Sequence, residues 1–323
     1  MKILSNRRVG FVLGELLHKK INLDKLDEIY PESMEMFLKE EIENKLQMKR
    51  SEKIREILLT LSSLDLEERI KILEDIHPSH FIEFIKEGNP FFSGLLLKSL
   101  DKSKGREIFS FLDNERKMEI VYTTRGKRES PFVKRAFQIF LIKKLNIGGK
   151  LILKNLEKGE IVFLMNWKEI EILMEELGLK EITIACKNLG EEALSGLLKK
   201  FNKEEKKRIL KKLEVIETPS EGVILNARKE ILEIVKNYYR KGEIVKIIGL
   251  YKLAQIFFPY NKEQINLLSL KIAKHLVEIF NKMIDDLMKN GKELNLNEMK
   301  EVEKTIKYLS EMEKINGDWK FYL

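Results

Sequence analysis

The sequence holds few of the residues on which disulfide-rich and metal-binding proteins depend. Its 323 residues include one cysteine, Cys186, which excludes a disulfide framework and a cysteine-rich metal site and fits a reducing compartment. With 17 glycines and 6 prolines it is no collagen-like or low-complexity chain. The most apolar stretch, 244–258, contains two lysines and is too short to span a bilayer. The N-terminus lacks a small-residue cleavage site, so we predict a soluble protein without a signal peptide.

Charged and apolar residues are both abundant. The apolar fraction of 43% excludes wholesale disorder, and the charged fraction of 35% is typical of helices with solvated faces. Lysine and arginine number 60 against 52 acidic residues, a net charge of +8 with a pI near 9.1. This balance permits an acidic protein, a membrane surface or a nucleic acid as partner and demands none of them.

Apolar residues recur at three- and four-residue spacing along most of the chain, which predicts an all-α protein. One sequence pattern occurs three times. An apolar pair is followed by Asp65, Asp101 or Asn202, at the position where a helix needs an N-cap, and further apolar residues stand seven, eight and eleven positions after that cap. Helix–cap–helix repeats of this kind stack into armadillo-like or HEAT-like units that share a core. Coincidence among amphipathic helices is the competing explanation.

Helix start and stop signals and changes in composition divide the chain into five parts. We predict an N-terminal helical domain (1–64), a middle armadillo-like unit (65–126), a connector with a Gly148-Gly149 hinge (127–159), a C-terminal armadillo-like unit (160–245) and a helical extension (246–323). The extension's apolar helices are expected to cover the last apolar face of the stack or to pair with another subunit.

No constellation for catalysis is present in the sequence. His77 and His80 lack partners at metal-ligand spacing, so surface or capping roles are expected for them. Gly148-Gly149-Lys150 lacks the upstream glycine of a phosphate loop, and Cys186 lies in an apolar helical stretch typical of a core. We therefore predict a protein that is not an enzyme and has no cofactor or metal.

One segment concentrates positive charge. Between 203 and 212 there are six basic residues and two acidic ones, so +4 of the +8 excess falls in ten residues. Lys203, Lys207 and Lys211 share a stripe at i,i+4 spacing, an arrangement that slightly destabilises an isolated helix. This stripe predicts an external acidic partner. Elsewhere acidic residues are interleaved with basic ones, so no nucleic acid is expected.

Two stretches resemble the FliG family of flagellar motor switch proteins, whose folds are armadillo-like. The first resembles the family's middle domain and includes Phe84–Glu87, Leu97–Asp101 and Ile108–Leu112. The second resembles its C-terminal domain and includes Ile170-Glu171, Ile184–Lys187, Leu197–Lys199, Ile209-Leu210 and Gly242–Val245. The closing Gly-Glu-Ile-Val and the Ala-x-Lys at Ala185 and Lys187 are the most specific matches.

The chain departs from the family at its partner sites. The family docks FliM through a Glu-His-Pro-Gln motif, and this chain has Gly88-Asn89-Pro90-Phe91 at those positions. The family arginine that accompanies the motif aligns with Thr123 of this chain, and Arg125 stands two residues further on. The resemblance makes FliM a doubtful partner at this face, with Pro90 serving as a helix start.

The stator-facing helix of the family corresponds to 202–213. The resemblance assigns stator-facing positions to Lys187, Glu204, Lys207, Arg208, Lys211, Lys212 and Ser220. On this helix the family's arginine aligns with Glu204, and the family's acidic pair aligns with Lys211 and Lys212. The family's arginine in the following loop aligns with Ser220. The family's lysine is retained as Lys187. The signs are therefore reversed, which turns attraction to a typical stator loop into repulsion.

The resemblance implies a structural protein at the cytoplasmic face of the flagellar basal body, peripheral to the inner membrane. Its expected partner is a FliF-like membrane-ring protein. FliM, despite the altered docking motif, the stator protein MotA or another acidic partner, and further copies of itself in a ring are the other candidates. A role in rotor assembly, placement or modulation of motility is predicted rather than standard torque transmission. The alternative is a helical-repeat adaptor unrelated to flagella that binds an acidic protein, and a basic nucleic-acid binder is a weaker third hypothesis.

Overall fold

The computed structural model describes residues 64–126, 131–147, 160–240, 242–291 and 296–321. Within these ranges the regular structure is helical and includes no strand, so the predicted all-α class is confirmed. The chain divides into two compact units, Met1–Ile152 and Leu153–Leu323. The predicted N-terminal domain lies outside the described residues except for Leu64, and the predicted Gly148-Gly149 hinge lies outside them entirely.

The first unit is described as six helices around one apolar core. They are α1 (Leu64–Asp75), α2 (Ser79–Glu87), α3 (Pro90–Ser99), α4 (Lys102–Ser110), α5 (Asn114–Thr124) and α6 (Pro131–Lys144). The helix α3 packs against both α5 and α6. Phe81, Leu96, Ile108 and Phe137 are fully or almost fully buried between these helices, and burial of such side chains is the main stabilising contribution.

Two of the three predicted caps are confirmed. The Asp101 carboxylate accepts the N–H of Ser103 before α4, and the Asn202 side chain accepts the N–H of Glu205 at the start of a helix in the second unit. The cap predicted at Asp65 is wrong, because Asp65 lies inside α1 as described. The apolar positions of that first copy are nevertheless buried at Leu73 and Ile76, since they depend on helical periodicity and not on the cap.

The second unit is described as eight helices and two short 3-10 turns. The helices are α7 (Trp167–Cys186), α8 (Glu191–Leu198), α9 (Lys203–Val215), α10 (Glu221–Tyr238), α11 (Ile244–Phe257), α12 (Lys262–Lys271), α13 (Lys274–Lys289) and α14 (Leu296–Glu311), and the turns are Glu160–Phe163 and Gly317–Phe321. The central helix is α7, which contacts α9, α10, α11 and α14. A capping box between Asn166 and Glu169 fixes its first turn.

The helices α7 and α11 cross with their backbones in contact. A Cβ atom built on Gly178 would overlap the carbonyl oxygen of Val245, and one built on Gly249 would overlap the carbonyl oxygen of Met174. Only glycine permits this approach, because every other residue carries a Cβ. The helix α11 crosses the predicted boundary at 245, and its core contacts join the predicted extension to the predicted 160–245 unit.

Two further contacts bind the later helices to the start of this unit. The Lys271 side chain, at the end of α12, is almost fully buried, and its Nζ donates to the carbonyl oxygens of Phe163 and Met165 at 2.5 Å each. The Glu169 Oε1 accepts the backbone N–H of Asn316 and the indole N–H of Trp319, each at 2.9 Å. Buried polar groups are thus paired across long separations in sequence, as a stable core requires.

None of the helices in the described ranges combines the length and the hydropathy that a membrane-spanning helix needs.

Candidate functional site

The basic helix identified from sequence is α9, and its start is built by local hydrogen bonds. Asn202 Oδ1 accepts the N–H of Glu205 at 2.9 Å, and the Glu205 carboxylate accepts the N–H of Asn202 at 3.0 Å. This reciprocal capping box satisfies two of the donors that a helix N-terminus leaves free. Glu204 and Glu205 also place negative charge in the first turn, where the helix dipole favours it.

The inner face of α9 uses part of the basic charge to hold the helix to α7. Arg208 Nη1 lies 2.9 Å from a Glu175 carboxylate oxygen, and Lys212 Nζ pairs with Glu176. Glu176 is buried, with 5% of its side chain exposed, so the Lys212–Glu176 pair is better protected from solvent screening than a surface pair. Lys212 Nζ also lies 5.9 Å from the centre of the Tyr308 ring on α14. Arg208 and Lys212 thus stabilise the fold at positions for which the resemblance implied stator contact.

The outer face of α9 carries the remaining lysines. Lys203, Lys206, Lys207 and Lys211 are exposed, and in the described part of the chain no carboxylate forms an ion pair with them. The exposed acids on the same helix are Glu204 and Glu214. Pairing on the inner face therefore separates the six basic residues into two structural ones and four that face solvent. We call Lys203, Lys206, Lys207 and Lys211 the lysine face.

The end of α9 is held by groups from two other segments. Lys187 Nζ donates to the carbonyl oxygen of Leu213 at 2.8 Å, which satisfies one of the acceptors left free in the last turn. Arg228 on α10 donates to the carbonyl oxygens of Ala185 and Lys187 at 2.9 and 2.7 Å and so anchors the end of α7. Sequence reasoning missed Arg228, and its placement on one face of an amphipathic helix was the only available signal. Ser220 is exposed and precedes α10 without a side-chain cap.

In the first unit, the predicted FliM-docking position forms the junction of α2 and α3. Asn89 is the N-cap of α3, with Oδ1 accepting the N–H of Phe91 at 2.9 Å, and Pro90 is the first helical residue. Pro90 therefore starts a helix, as predicted, because its fixed φ and missing N–H suit that position. A Cβ atom at Gly88 would come within 2.6 Å of the Phe84 carbonyl oxygen, so the junction has no room for the family's bulkier residue here.

This junction is anchored by Arg116, which the sequence analysis did not single out. Its guanidinium donates to the carbonyl oxygens of Ile85 and Gly88 and pairs with Glu119 at 2.7 Å. The other two predicted positions lie at the opposite end of α5. The Thr123 hydroxyl donates to the Glu119 carbonyl oxygen at 2.9 Å, and Arg125 follows the helix and is exposed.

The side chains of His77, His80 and Cys186, which the sequence analysis considered for chemistry, are buried. His77 Nδ1 accepts the N–H of Ser79 at 3.2 Å, a capping role at the start of α2, and both His77 and His80 are buried rather than on the surface. Burial raises the pKa of the Cys186 thiol to about 11, which keeps it protonated at neutral pH. The described residues contain no group of His, Cys, Asp and Glu side chains that could hold a metal ion.

The fold and this surface define a class: an all-α protein of stacked helices that presents a lysine-rich helix held by internal ion pairs. Residues 150–245 match the family model of the FliG C-terminal domain, so this segment is similar to the C-terminal domain of flagellar motor switch proteins. The matched part spans α7 to α10 and the start of α11. Comparisons with curated proteins and with solved structures gave no match.

Proposed function

We propose that the protein is a structural and interaction component of the flagellar motor switch. It acts at the cytoplasmic face of the basal body, in assembly or placement of the rotor or in modulation of motility, and not in standard torque transmission. The FliG C-terminal domain supports the link to the motor switch. The observation that carries the finer proposal is the lysine face, whose four positive charges have no ion-pair partner among the described residues and lie where the resemblance places the stator-facing surface.

The charge that α9 presents to a partner depends on which of its side chains reach solvent. Of the reversed positions, Glu204 and Lys211 are exposed, whereas Lys212 is paired with Glu176. Exposed charges act over about one Debye length, roughly 8 Å at physiological salt. They set encounter rate and partner choice more than affinity. The lysine face therefore selects an acidic surface, and a stator loop suited to the usual sign pattern meets repulsion.

Partners at the other end of the chain follow from the family. FliG-family proteins contact FliF, FliM and stator proteins. We propose a FliF-like membrane-ring protein as the retained partner, through residues 1–64. FliM docking through Gly88–Phe91 is proposed to be lost, because the chain keeps only the proline of the family's Glu-His-Pro-Gln and uses Asn89 and Pro90 to start α3. Pull-down with FliF should succeed with the full chain and fail without residues 1–64; failure with both favours an adaptor unrelated to flagella.

A genetic experiment tests the proposed role. Deleting the gene should reduce filament number or bias swimming while rotation persists in the filaments that form. The wild-type gene and the matched control K262E/K289E/K300E, which reverses three exposed lysines on α12, α13 and α14, should restore motility. The variant K203E/K207E/K211E should not. A deletion strain with fully assembled but paralysed filaments would contradict the proposal, as would full rescue by the lysine-face variant.

A further inference from the structure

The second unit contains an apolar groove of about 470 Å³, lined by residues of α7, α8, α10 and α11. Ile182 and Ala185 of α7 and Ile248 of α11 are buried beneath it, whereas Leu197 of α8 and Leu232 of α10 are exposed along it. The groove is therefore closed below by two helices and open to solvent between the other two. Neither the lysine face nor the α2–α3 junction lines it, so the proposed motor role does not use it.

The apolar surface of α10 is wider than the part that packs in the core. This helix contacts α7 and α11, and Ile224 and Ile234 are among its buried residues. Leu225, Leu232 and Tyr239 follow one another at intervals of seven residues and are 46%, 70% and 57% exposed. Residues seven apart lie in one row along a helix. Large apolar side chains aligned at a solvent-exposed groove indicate an interaction surface.

The spacing of this row fits a second helix. Leu232, Val235 and Tyr239 all line the groove and follow each other by three and four residues, which is the spacing at which one helix packs along another. The row from position 225 to 239 rises about 21 Å at 1.5 Å per residue. A helix of about four turns therefore matches its length, and helix-in-groove recognition uses such a row of anchors.

Basic side chains flank the groove on both sides. Lys199 and Lys200 follow α8, and Lys200 lines the groove. Lys229 and Lys236 lie three residues before and four residues after Leu232, so they are its neighbours on the surface of α10. All four lysines are exposed, and no carboxylate among the described residues forms an ion pair with them.

The acidic residues of these two helices lie away from the flanking lysines. Glu191 and Glu192 are in the first turn of α8, at the opposite end from the lysines that follow it. Glu221 opens α10 before the apolar row begins. Glu230 forms an ion pair with a lysine of α11, and Glu233 lines a separate pocket beside α13. The groove is therefore apolar inside and basic at its edges.

This combination selects one kind of occupant. A second copy of the chain would bring the basic edges of two grooves together, and like charges across an interface are unfavourable. An acidic helix gains attraction at the same edges. We propose that the groove docks an acidic amphipathic helix of a partner protein, with its apolar side on Leu232 and Tyr239 and its carboxylates beside the flanking lysines.

Fluorescence anisotropy of a labelled synthetic peptide with the full chain tests the proposal. The probe has about 18 residues, five helical turns, with leucine at three- and four-residue spacing and glutamate on both sides of that row. One control peptide has lysine at every glutamate position, and another has the same composition with the leucine row scrambled. The acidic peptide should bind saturably, and both controls should bind at least about tenfold more weakly. Equal affinities of the three peptides, or no saturable binding of the acidic one, would overturn the proposal.

A charge placed on the apolar row tests where the peptide binds. Leu232→Glu should weaken binding of the acidic peptide at least about tenfold, because a carboxylate replaces the most exposed apolar contact. Position 232 is largely solvent-exposed, so the helical circular dichroism should not change. The matched control Leu296→Glu makes the same change at a 62% exposed position of α14 outside the groove and should leave affinity unchanged. Equal weakening by both variants would contradict the proposal.

Reversing the charge at one edge tests the selection of an acidic partner. K199E/K200E should weaken binding of the acidic peptide about tenfold and make it less sensitive to salt. The control K262E/K289E reverses two exposed lysines on α12 and α13 and should have little effect. Equal effects of the two variants would mean that net charge and not the groove attracts the peptide, which would rule the proposal out.

Two other occupants are distinguishable by experiment. Dimerisation of the full chain in sedimentation velocity that Leu232→Glu abolishes would assign the groove to a second copy. Peptide binding that appears only after residues 1–63 are deleted would assign it to the chain's own N-terminal segment. Either result would show that the groove is not a site for a partner helix.

Discussion

Single residues in this protein owe their properties to burial. Cys186 is 3% exposed at the end of α7, next to the carbonyl oxygens that Arg228 anchors. Sequence reasoning placed it in a core from its apolar neighbours, and the structure confirms that. Arg116 and Arg228 show the limit of such reasoning. Each donates to two backbone carbonyl oxygens of a distant helix end, and nothing local in the sequence distinguishes them from solvated arginines.

The first prediction concerns the Cys186 thiol. Because burial raises its pKa to about 11, only a very small fraction is thiolate at pH 8. Reaction with a disulfide reagent should be about two orders of magnitude slower in the native protein than in urea, where an ordinary thiol pKa of about 8.5 returns. The absorbance of the released thiolate measures both rates. Equal native and unfolded rates would show that the thiol is accessible and the helix end open.

At the scale of helices, local signals gave two of the three repeat caps, and periodicity gave the buried faces. Asp101, Asn166 and Asn202 cap their helices through side-chain oxygens, as Asp and Asn do in isolated helices. The close crossing of α7 and α11 had no such signal. The sequence analysis singled out neither Gly178 nor Gly249, and only the crossing of α7 and α11 shows why no side chain fits at either position.

The second prediction compares two glycine substitutions within helices. Gly249→Ala should destabilise the second unit by about 3 kcal/mol, because the new methyl group overlaps the Met174 carbonyl and the helices must separate. Gly196→Ala on α8 meets no atom within 4 Å and should stabilise by about 0.5–1 kcal/mol through helix propensity. Urea unfolding followed by circular dichroism measures both. Similar shifts for the two variants would mean that the crossing is not tightly packed.

At the scale of the whole chain, the structure groups residues differently from the sequence. The predicted boundaries at 65, 126, 159 and 245 remain predictions about independent units, whereas backbone contacts divide the chain once, between Ile152 and Leu153. The match to the FliG C-terminal domain ends at 245, near the start of α11. The helix α11 packs on α7 of the matched segment and also contacts α13 and α14. The helices after residue 245 therefore share one core with the matched segment.

The third prediction tests that grouping with two fragments. A fragment of residues 153–323 should unfold cooperatively. A fragment of residues 153–245 should lack a cooperative transition, because it loses nearly all of α11 and exposes the side chains of α7 that α11 and α14 cover. Thermal melts followed by circular dichroism and by tryptophan fluorescence distinguish the two cases. A sharp, coincident transition in the shorter fragment would establish 160–245 as a self-sufficient unit.

The sequence by itself determined the helical class, two of the three repeat caps, the helix start at Pro90 and the relation to the FliG C-terminal domain. The helical class, the caps and the helix start depend on hydrogen bonds and apolar spacing between residues that are close in sequence. The relation to the family depends on the order of residues along the chain. It also located the lysine face, because helical spacing sets which side chains share a stripe. Tertiary structure alone decided that Arg208 and Lys212 are paired inward and that three carboxylates surround Lys252. Those groups are far apart in sequence, and only the packing of helices brings their charges within reach of one another.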